Sequence, residues 1–179
     1  MVSYTYQIPF EKLWRPGRLA SGWSLSGITR FATGFPVYIT ESDDNSLLGT
    51  FGNGNGGLID EPNRLPGPLN RIDPRNEDLI TMQNPYFNTG LFTKEALGQL
   101  GNSNRRFFAG PGTNNWDICL AKELALTETK KLQFRGELFS AFNHAQFASP
   151  TGEIINPTFG FVTGAGGQRI GQVAMKFIF

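Results

Sequence analysis

The amino-acid sequence predicts an all-β protein: an antiparallel transmembrane β-barrel segment, with about five to six strands of a larger barrel and long extracellular loops. Three observations support this fold class. Five stretches alternate apolar and polar residues, helical periodicity is nearly absent, and the connections between the stretches alternate between shorter and much longer. The 179 residues suffice for one domain or for part of a larger one.

The first two strands are predicted at residues 2–8 and 22–40. In the first, tyrosines and aliphatic residues alternate with serine, threonine and glutamine. In the second, Trp23 and Leu25 alternate with serines, and a looser apolar run continues to Ile39. Because successive side chains of a strand point to opposite faces, each stretch would form a sheet with one apolar and one polar face.

Three further strands are predicted, at residues 116–124, 131–142 and 169–179. The fourth strand of the five is the clearest, since Leu132 and Phe134 would lie on one face, and Arg135 and Glu137 on the other. A soluble sheet with one wet face would show the same alternation. The pattern alone therefore does not decide between a membrane protein and a soluble one.

The connections favour the membrane. Two long loops are predicted at residues 41–115 and 143–168, separated by shorter connections near residues 9–21 and 125–129. Outer-membrane barrels have short periplasmic turns and long extracellular loops. If the C-terminus is periplasmic, both long loops are extracellular and both shorter connections are periplasmic.

The first long loop is rich in glycine, proline and asparagine, which form turns. A connection of this length is unusual in a compact domain and is usually functional or disordered. We expect local structure in it around residues 86–92. The only short helical pattern, at residues 93–100, is too short to form a stable helix without tertiary support.

Composition excludes several classes of function. Charged residues make up 17% of the chain and the net charge is +1, so no basic stripe for nucleic acid is predicted. One cysteine and one histidine exclude a disulfide framework and a multi-histidine metal site. No catalytic, cofactor-binding or metal-binding residue is predicted, no cofactor is expected, and the chain is expected not to be an enzyme. The first residues do not predict a signal peptide, and no apolar stretch of about 20 residues predicts a membrane helix.

A few individual residues invite interpretation. His144 is predicted to make a hydrogen bond at a loop root or at the membrane boundary, and Cys119 to point into the barrel without reactivity. Arg135 and Glu137 would join an ionic ladder that faces the lumen. Lys122 interrupts an apolar face, and its long stem is predicted to reach the lipid headgroups.

Two glycine- or acid-rich segments resemble ligand loops only superficially. Residues 43–46 and 52–57 lack the spacing and the bidentate glutamate of an EF-hand, so calcium binding is not predicted. Residues 164–169 lack the lysine of a phosphate-binding loop and are predicted to form a turn.

The last predicted strand carries apolar residues at alternate positions: Val173, Met175, Phe177 and Phe179. With it, the order and spacing of several short motifs resemble the C-terminal β-barrel segment of a TonB-dependent receptor/transporter of the Oar-like family, whose members carry a carboxypeptidase regulatory-like domain. These motifs are Tyr4–Phe10, Gly22–Thr29, Gly34–Val37, Tyr86–Asn88, Gly110–Gly112, Asn115–Ile118, Leu132–Phe139, Phe142–His144 and Gln172–Phe179. Residues 1–179 are thereby identified as the C-terminal part of such a barrel.

The resemblance implies a fragment of an outer-membrane TonB-dependent active transporter, whose full-length parent binds a ligand and imports it. Five strands cannot close a barrel, since natural single-chain barrels begin at about 8 strands. The implied partners are outer-membrane lipid, the barrel-assembly machinery, the TonB system through a plug absent from this chain, and an unknown small-molecule or oligomeric ligand.

The same resemblance implies a location in the outer membrane of a Gram-negative-type bacterium, with the C-terminus in the periplasm. It also implies that Val173, Met175, Phe177 and Phe179 form the signal that the assembly machinery reads.

A soluble antiparallel β-sandwich, acting as a carbohydrate-binding or adhesion module, is the alternative. The two hypotheses differ in where one set of apolar residues lies. A barrel places them on the convex, lipid-facing side of a curved sheet, whereas a sandwich packs them inward between two sheets. The set is Trp23, Leu25, Ile118, Leu120, Leu132, Phe134, Val173 and Phe177.

Overall fold

The computed structural model of the chain describes residues 1–13, 17–48, 60–104 and 108–179. The chain divides into two compact units. The first, here called the sheet unit, comprises Met1–Ala32, Thr113–Gln146 and Gly167–Phe179. The second, the loop unit, comprises Thr33–Gly112 and Phe147–Gly166. The described part of the loop unit therefore comprises most of the two long connections that the sequence predicts, together with residues 33–40, which the sequence assigned to a strand.

Nearly all regular structure is β. The strands of the described residues are, in chain order, β1 (Val2–Ile8), β2 (Trp23–Ala32), β3 (Asn63–Arg64), β4 (Phe92–Thr93), β5 (Thr113–Ala125), β6 (Lys131–Phe139), β7 (Gln146–Phe147), β8 (Ala165–Gly166) and β9 (Ile170–Ile178). One short helix, α1 (Phe10–Leu13), and two 3₁₀ turns, Pro74–Asn76 and Thr89–Leu91, complete the set. None of the helices described is both long and apolar enough to cross a membrane.

Five strands form one antiparallel sheet in the order β1-β2-β5-β6-β9. Because neighbouring strands are antiparallel, successive connections between them lie at alternate ends of the sheet. The connections β2–β5 and β6–β9, which contain the loop unit, leave from one end, here called the loop end. The shorter connections β1–β2 and β5–β6 lie at the other, the turn end. This is the alternation of loop lengths that the sequence predicts.

The second and fourth strands are shorter than predicted. β2 ends at Ala32 rather than at residue 40, and β6 ends at Phe139 rather than at residue 142. The apolar alternation beyond Ala32 belongs to the loop unit, where Val37 and Ile39 are buried. Instead of a sheet neighbour, the amide of Val37 bonds the carbonyl of Phe108 at 2.9 Å.

The loop unit has its own hydrophobic core. Its buried members come from three stretches of the first long connection and one of the second: Val37, Ile39, Tyr86, Phe87, Leu91, Phe92, Phe108 and Val162. The expectation of local structure at residues 86–92 is confirmed, because this stretch supplies core residues and the 3₁₀ turn Thr89–Leu91. Asn88 caps that turn by accepting the amide of Gly90 at 3.2 Å.

Residues 93–100 form no helix. Thr93 pairs with Asn63 in the β3–β4 ladder, and a single turn closes between the amide of Gln99 and the carbonyl of Ala96. Pairing with β3 therefore sets the conformation at the start of this segment. A helical pattern this short is not expected to be stable alone.

Candidate membrane-facing surface and loop unit

One face of the five-stranded sheet is apolar. Residues paired directly across neighbouring strands share a face, so the register identifies its members. Leu25 pairs with Leu120, Ile118 with Leu138, and so on across the sheet. The whole discriminating set lies on this face: Trp23, Leu25, Ile118, Leu120, Leu132, Phe134, Val173 and Phe177.

The apolar face is exposed. Val173 is 87% exposed, Met175 68%, Phe177 49% and Leu120 40%. These side chains are therefore not packed into an interior among the described residues, as a β-sandwich would require. An exposed apolar surface of this extent marks an interaction site in a soluble protein, or a lipid-facing surface in a membrane protein.

Aromatic side chains gather near both ends of this face. At the loop end, the ring of Trp116 meets Phe31 and Phe142 edge to face, with centroids 5.8 and 5.5 Å apart. At the turn end, Trp23 meets Phe10 in the same way at 6.0 Å. Trp116 on β5 pairs with Thr29, which lies six residues along β2 from Trp23, or about 20 Å at ~3.3 Å per residue. Aromatic girdles flank an apolar band of similar height in outer-membrane barrels.

Lys122 lies on the apolar face beside Trp23, but it does not extend to the headgroups as predicted. Its side chain is buried. Its ammonium group donates to the backbone carbonyls of Arg18 and Ser21, and it lies 5.5 Å from the Trp23 ring centroid. The β1–β2 connection therefore surrounds the charge, because carbonyl oxygens of a local turn satisfy it without the need for water.

The opposite face is polar and carries a ladder of charges and amides. Arg135 pairs with Glu137 two residues along the same strand, and Glu137 also accepts a hydrogen bond from Gln172 on β9. One step away, Gln133 bonds Glu123 on β5 at 3.0 Å. The ion pair therefore lies within β6 and not between facing strands as predicted, and the links from β6 to β5 and β9 are amide hydrogen bonds.

A polar network holds the loop end of the sheet. The carboxylate of Asp117 accepts the amide of Ser140 at 2.9 Å and the side-chain amide of Asn115 at 3.1 Å. Ser140 bonds Asn115 in turn at 2.8 Å. Ser140 has a φ of 48°, so the turn after β6 depends on these bonds. The sequence analysis missed this network, although three consecutive polar residues before Trp116 were a signal for it.

The single cysteine lies within strand β5, and the single histidine lies in the loop after β6. Cys119 pairs with Ser26 and Glu137, which places it on the polar face as expected. The carbonyl of His144 accepts a hydrogen bond from the Gln146 amide at 3.0 Å, and its ring lies 6.3 Å from Phe142. β5 therefore places Cys119 on the polar face, and the loop after β6 places His144 beside Phe142.

Buried acidic side chains are the second feature that the sequence analysis missed. Glu41 is fully buried in the loop unit, and Asp60 and Glu95 are buried nearly as deeply. Asp60 is well satisfied, accepting the amide and hydroxyl of Ser46 at 2.9 and 2.6 Å, and these bonds lower its pKa. Glu41 accepts the side-chain amide of Asn45 at 2.8 Å.

Desolvation raises the pKa of Glu41 to about 7, and the neighbouring Glu95 adds to the rise. Lys94, 3.5 Å from Glu41, opposes it but also pairs with Asp43. Elsewhere in the loop unit, burial raises the pKa of Glu77, whose carboxylate accepts the amide of Val162 at 2.8 Å.

No group of acidic, histidine or cysteine side chains suited to a metal ion occurs among the residues that the structure describes. Of the two segments weighed for calcium, residues 43–46 form a turn beside Asp60, and Asp43 is engaged with Lys94. The glycine–asparagine run at residues 52–57 lies outside the described residues.

The four residues implied as an assembly signal lie at one edge of the sheet. Val173, Met175 and Phe177 project from the apolar face of β9. One edge of β9 is hydrogen-bonded to β6. Phe179 follows the strand, with its ring 5.9 Å from that of Phe177. β1 forms the other edge and is bonded to β2. The sheet is therefore open at both edges among the described residues, and its strands do not close a barrel.

An exposed apolar face, aromatic ends and long connections confined to one end together define a membrane β-barrel protein. The chain belongs to the family described as "Outer membrane beta barrel domain", which matches residues 1–172. It is accordingly an outer-membrane protein with an all-β, antiparallel fold. No curated protein and no solved structure shows a significant match to the chain.

Proposed function

We propose that this chain is a segment of an outer-membrane active transporter of the TonB-dependent, Oar-like type, whose parent barrel binds an external ligand and imports it. The single observation that carries the proposal is that both long connections leave one end of the sheet and fold into a unit with its own core. Structured loops of this kind are typical of binding rather than of a simple pore.

The polar face supports the same proposal. In a barrel, the side opposite the lipid-facing side lines the lumen. Here that side carries the Arg135–Glu137 pair, Gln172 and a run of serines and threonines on β1 and β2. Such a lining suits contact with a plug or with a polar ligand in transit. The proposal contains no catalytic step.

Two open edges support a longer barrel. Within the described part of the chain, β1 and β9 each have an unpaired side, and unpaired backbone groups in lipid cost several kcal/mol each. Because β1 and β9 run in the same direction in this five-stranded antiparallel sheet, an odd number of further strands would close it with every pair antiparallel. A transporter barrel that supplies those strands satisfies both edges.

We further propose that Val173, Met175, Phe177 and Phe179 are read by the barrel-assembly machinery. Their support is the exposed apolar edge strand β9, which offers both side chains and free backbone groups to a partner. In the parent barrel, Phe179→Ala should lower the assembled amount in the outer membrane, whereas Lys176→Ala on the polar face should not. Equal assembly of both variants would remove the signal role.

The proposed orientation places the loop unit outside the cell and the C-terminus in the periplasm. Cysteine labelling tests it in intact cells, in a Cys119→Ser background. Ile80→Cys, at a loop-unit position that is 95% exposed, should react with a membrane-impermeant maleimide. Glu128→Cys, in the β5–β6 turn, should react only after the outer membrane is permeabilised. The reverse pattern would overturn the orientation.

Transport itself is tested by energy dependence. Cells that carry the parent barrel are supplied with labelled iron chelates, oligosaccharides and peptides, with and without a functional TonB system. Accumulation of at least one probe should require both the barrel and TonB. Accumulation that requires the barrel but persists without TonB would indicate a passive channel and would contradict the proposal.

A further inference from the structure

Three carboxyl groups meet in the interior of the loop unit from three separate segments. Glu41 follows the core residue Ile39, Asp60 forms an isolated bridge with Glu41, and Glu95 follows β4. The amide of Glu41 bonds the carbonyl of Asp60 at 2.8 Å, so the backbone itself brings two of the three together.

In the part of the chain that the structure describes, no group donates a hydrogen bond to the carboxyl group of Glu95. Glu95 is 4% exposed, and neither of its oxygens has a hydrogen-bond donor among the described residues. The Oε2 atom of Glu41 is in the same position. Desolvation raises the pKa of Glu41 and Glu95 adds to that rise, while Glu95 also helps to lower the pKa of Asp60, so its carboxyl group lies near both. Two carboxylates can bond each other only when one of them keeps a proton.

We propose that Glu41 and Glu95 form a proton-held latch, which ties their two segments of the loop unit together while Glu41 keeps a proton and donates it in a hydrogen bond to Glu95. Asp60 is joined to Glu41 through the backbone. Asp60 anchors one end as an anion, since Ser46 donates both its amide and its hydroxyl to it. Loss of the shared proton places two negative charges side by side in a buried site and loosens the segments.

The geometry indicates which segments respond. Glu41 lies in the stretch 40–46 and Glu95 in the stretch 92–98, which are also joined by the bond from the Gly98 amide to the Asn45 carbonyl at 2.6 Å. Ile39 and Phe92 join these stretches to the hydrophobic core, but the Phe87 ring at its centre also packs against Phe108 and Phe159, which lie on neither stretch. We therefore expect a local opening rather than unfolding of the whole unit.

Among the described residues, the charged and titratable groups around Glu41 are Asp43, Asp60, Lys94, Glu95 and Glu153. Glu153 is satisfied by the hydroxyl of Thr40 and the amide of Ser42, both at 3.0 Å. Lys94 compensates part of the charge but divides its ammonium group between Asp43 and Glu41. These neighbours leave the Glu41–Glu95 contact dependent on a proton.

The direction of the pH dependence follows from linkage. The pKa of Glu41 is about 7 in the folded loop unit against 4.5 in an unfolded chain. Between these values the closed state holds one proton more than the open state, so closure weakens as pH rises. The opening equilibrium constant should increase by roughly tenfold per pH unit in this window and level off above about pH 7.

Hydrogen exchange of the full chain in detergent micelles tests the latch. Amide protection of residues 40–48 and 92–98 is measured between pH 5 and pH 8.5 and corrected for the intrinsic rate, with β6 amides as the internal reference. We expect protection of these two segments to fall at least tenfold from pH 5 to pH 7.5 while the β6 amides stay constant. Constant protection of the two segments would overturn the proposal.

Matched variants assign the effect to the proposed residues. Glu41→Gln should make protection independent of pH, because the amide can donate to Glu95 at any pH. Since Glu41 is fully buried, Glu95→Gln provides a second variant that replaces the same shared proton, with the same expected result. Glu77→Gln removes the other buried carboxyl group with a raised pKa and should leave the transition in place. A transition that disappears only with Glu77→Gln would overturn the proposal.

A bound cation is the competing occupant of an acidic cluster. Calcium at millimolar concentration should leave the pH dependence of protection unchanged, as should a chelator. If calcium restored protection at pH 8 in the wild-type chain but not in Glu95→Gln, a cation would replace the proton in this account and the latch would be wrong. The exchange experiment does not involve transport, so its outcome is separate from that of the proposed function.

Discussion

The sheet unit and the loop unit sort the same kinds of side chains in opposite ways. In the loop unit, Phe87, Ile39 and Val37 are at most 2% exposed. In the sheet unit, Val173 and Met175 lie on the surface and their polar neighbours on β9 face the other side. Hydrophobic residues leave water in both cases, but the loop unit must build its own interior, whereas lipid provides the apolar medium for the sheet.

Charged groups follow the same contrast. The sheet unit keeps the charge of Lys122 on its apolar face by surrounding it with backbone carbonyls. The loop unit instead buries carboxyl groups against one another, as at Glu41 and Glu95. A turn can satisfy a single cation locally, while paired acids depend on protonation. The comparison predicts that substitutions in one unit should leave the other largely unaffected.

The largest effect is expected from Phe87→Ala in the loop unit. The Phe87 ring is fully buried against Phe92, Phe108 and Phe159, at centroid distances of 5.0 to 5.8 Å. Removing it should lower the local free energy of unfolding of the loop unit by about 3–5 kcal/mol, measured by hydrogen exchange. Leu79→Ala, at a half-exposed position, is the control. An equal loss of protection in the sheet would show that the two units unfold together.

A charge on the lipid-facing side is the next largest perturbation. Val173→Arg should destabilise the parent barrel by about 2–4 kcal/mol in lipid vesicles, because the guanidinium would lie in hydrocarbon. Its neighbour Gln172 faces the polar side beside Glu137, so Gln172→Arg should be tolerated. Equal costs at the two positions, measured by reversible unfolding in denaturant, would show that the two faces do not differ in environment.

Two glycines on the apolar face differ in the space that surrounds them. A Cβ at Gly27 would lie 2.6 Å from the carbonyl oxygen of Asp117 and against the Tyr4 hydroxyl, whereas at Gly136 it would meet open space. Gly27→Ala should therefore destabilise the sheet by about 1–3 kcal/mol. Gly136→Ala should be neutral or slightly stabilising. The measurement is the denaturant midpoint of each variant, and the reverse ranking would contradict the pairing of β1 with β2.

The smallest effect is expected on the polar face. Arg135→Gln removes the ion pair with Glu137, but Arg135 is nearly half exposed and Glu137 keeps its bond to Gln172. The cost should be about 0.2–1 kcal/mol and should shrink as salt is added. A loss comparable to that of Val173→Arg would show that the polar face is excluded from water.

Sequence reasoning succeeded where a residue's neighbours along the chain decide its environment. Alternation in β6 identified its two faces, since a period of two is a property of any strand. The same reasoning extended β2 to residue 40, because Val37 and Ile39 also alternate. Only contacts with distant residues such as Phe108 separate a strand of the sheet from an extended segment of the loop unit.

The acidic cluster could not be predicted from the sequence either, because it also depends on contacts between distant residues. Glu41, Asp60 and Glu95 are separated by long stretches of sequence, and each is followed or preceded by other polar residues typical of an exposed loop. Lys122 is a partial case: its conflict with the apolar face was evident from the sequence. The turn that satisfies it comes from a segment about one hundred residues earlier, so the solution was not evident.

By itself, the sequence determined the all-β class, the faces of the strands and the alternation of short and long connections, because each depends on local spacing. Only the tertiary structure decided that the two long connections share a core, that strand β2 stops at Ala32 and that three acids meet in the interior of the loop unit. These features depend on contacts between distant segments, whose formation is set by packing and desolvation rather than by periodicity.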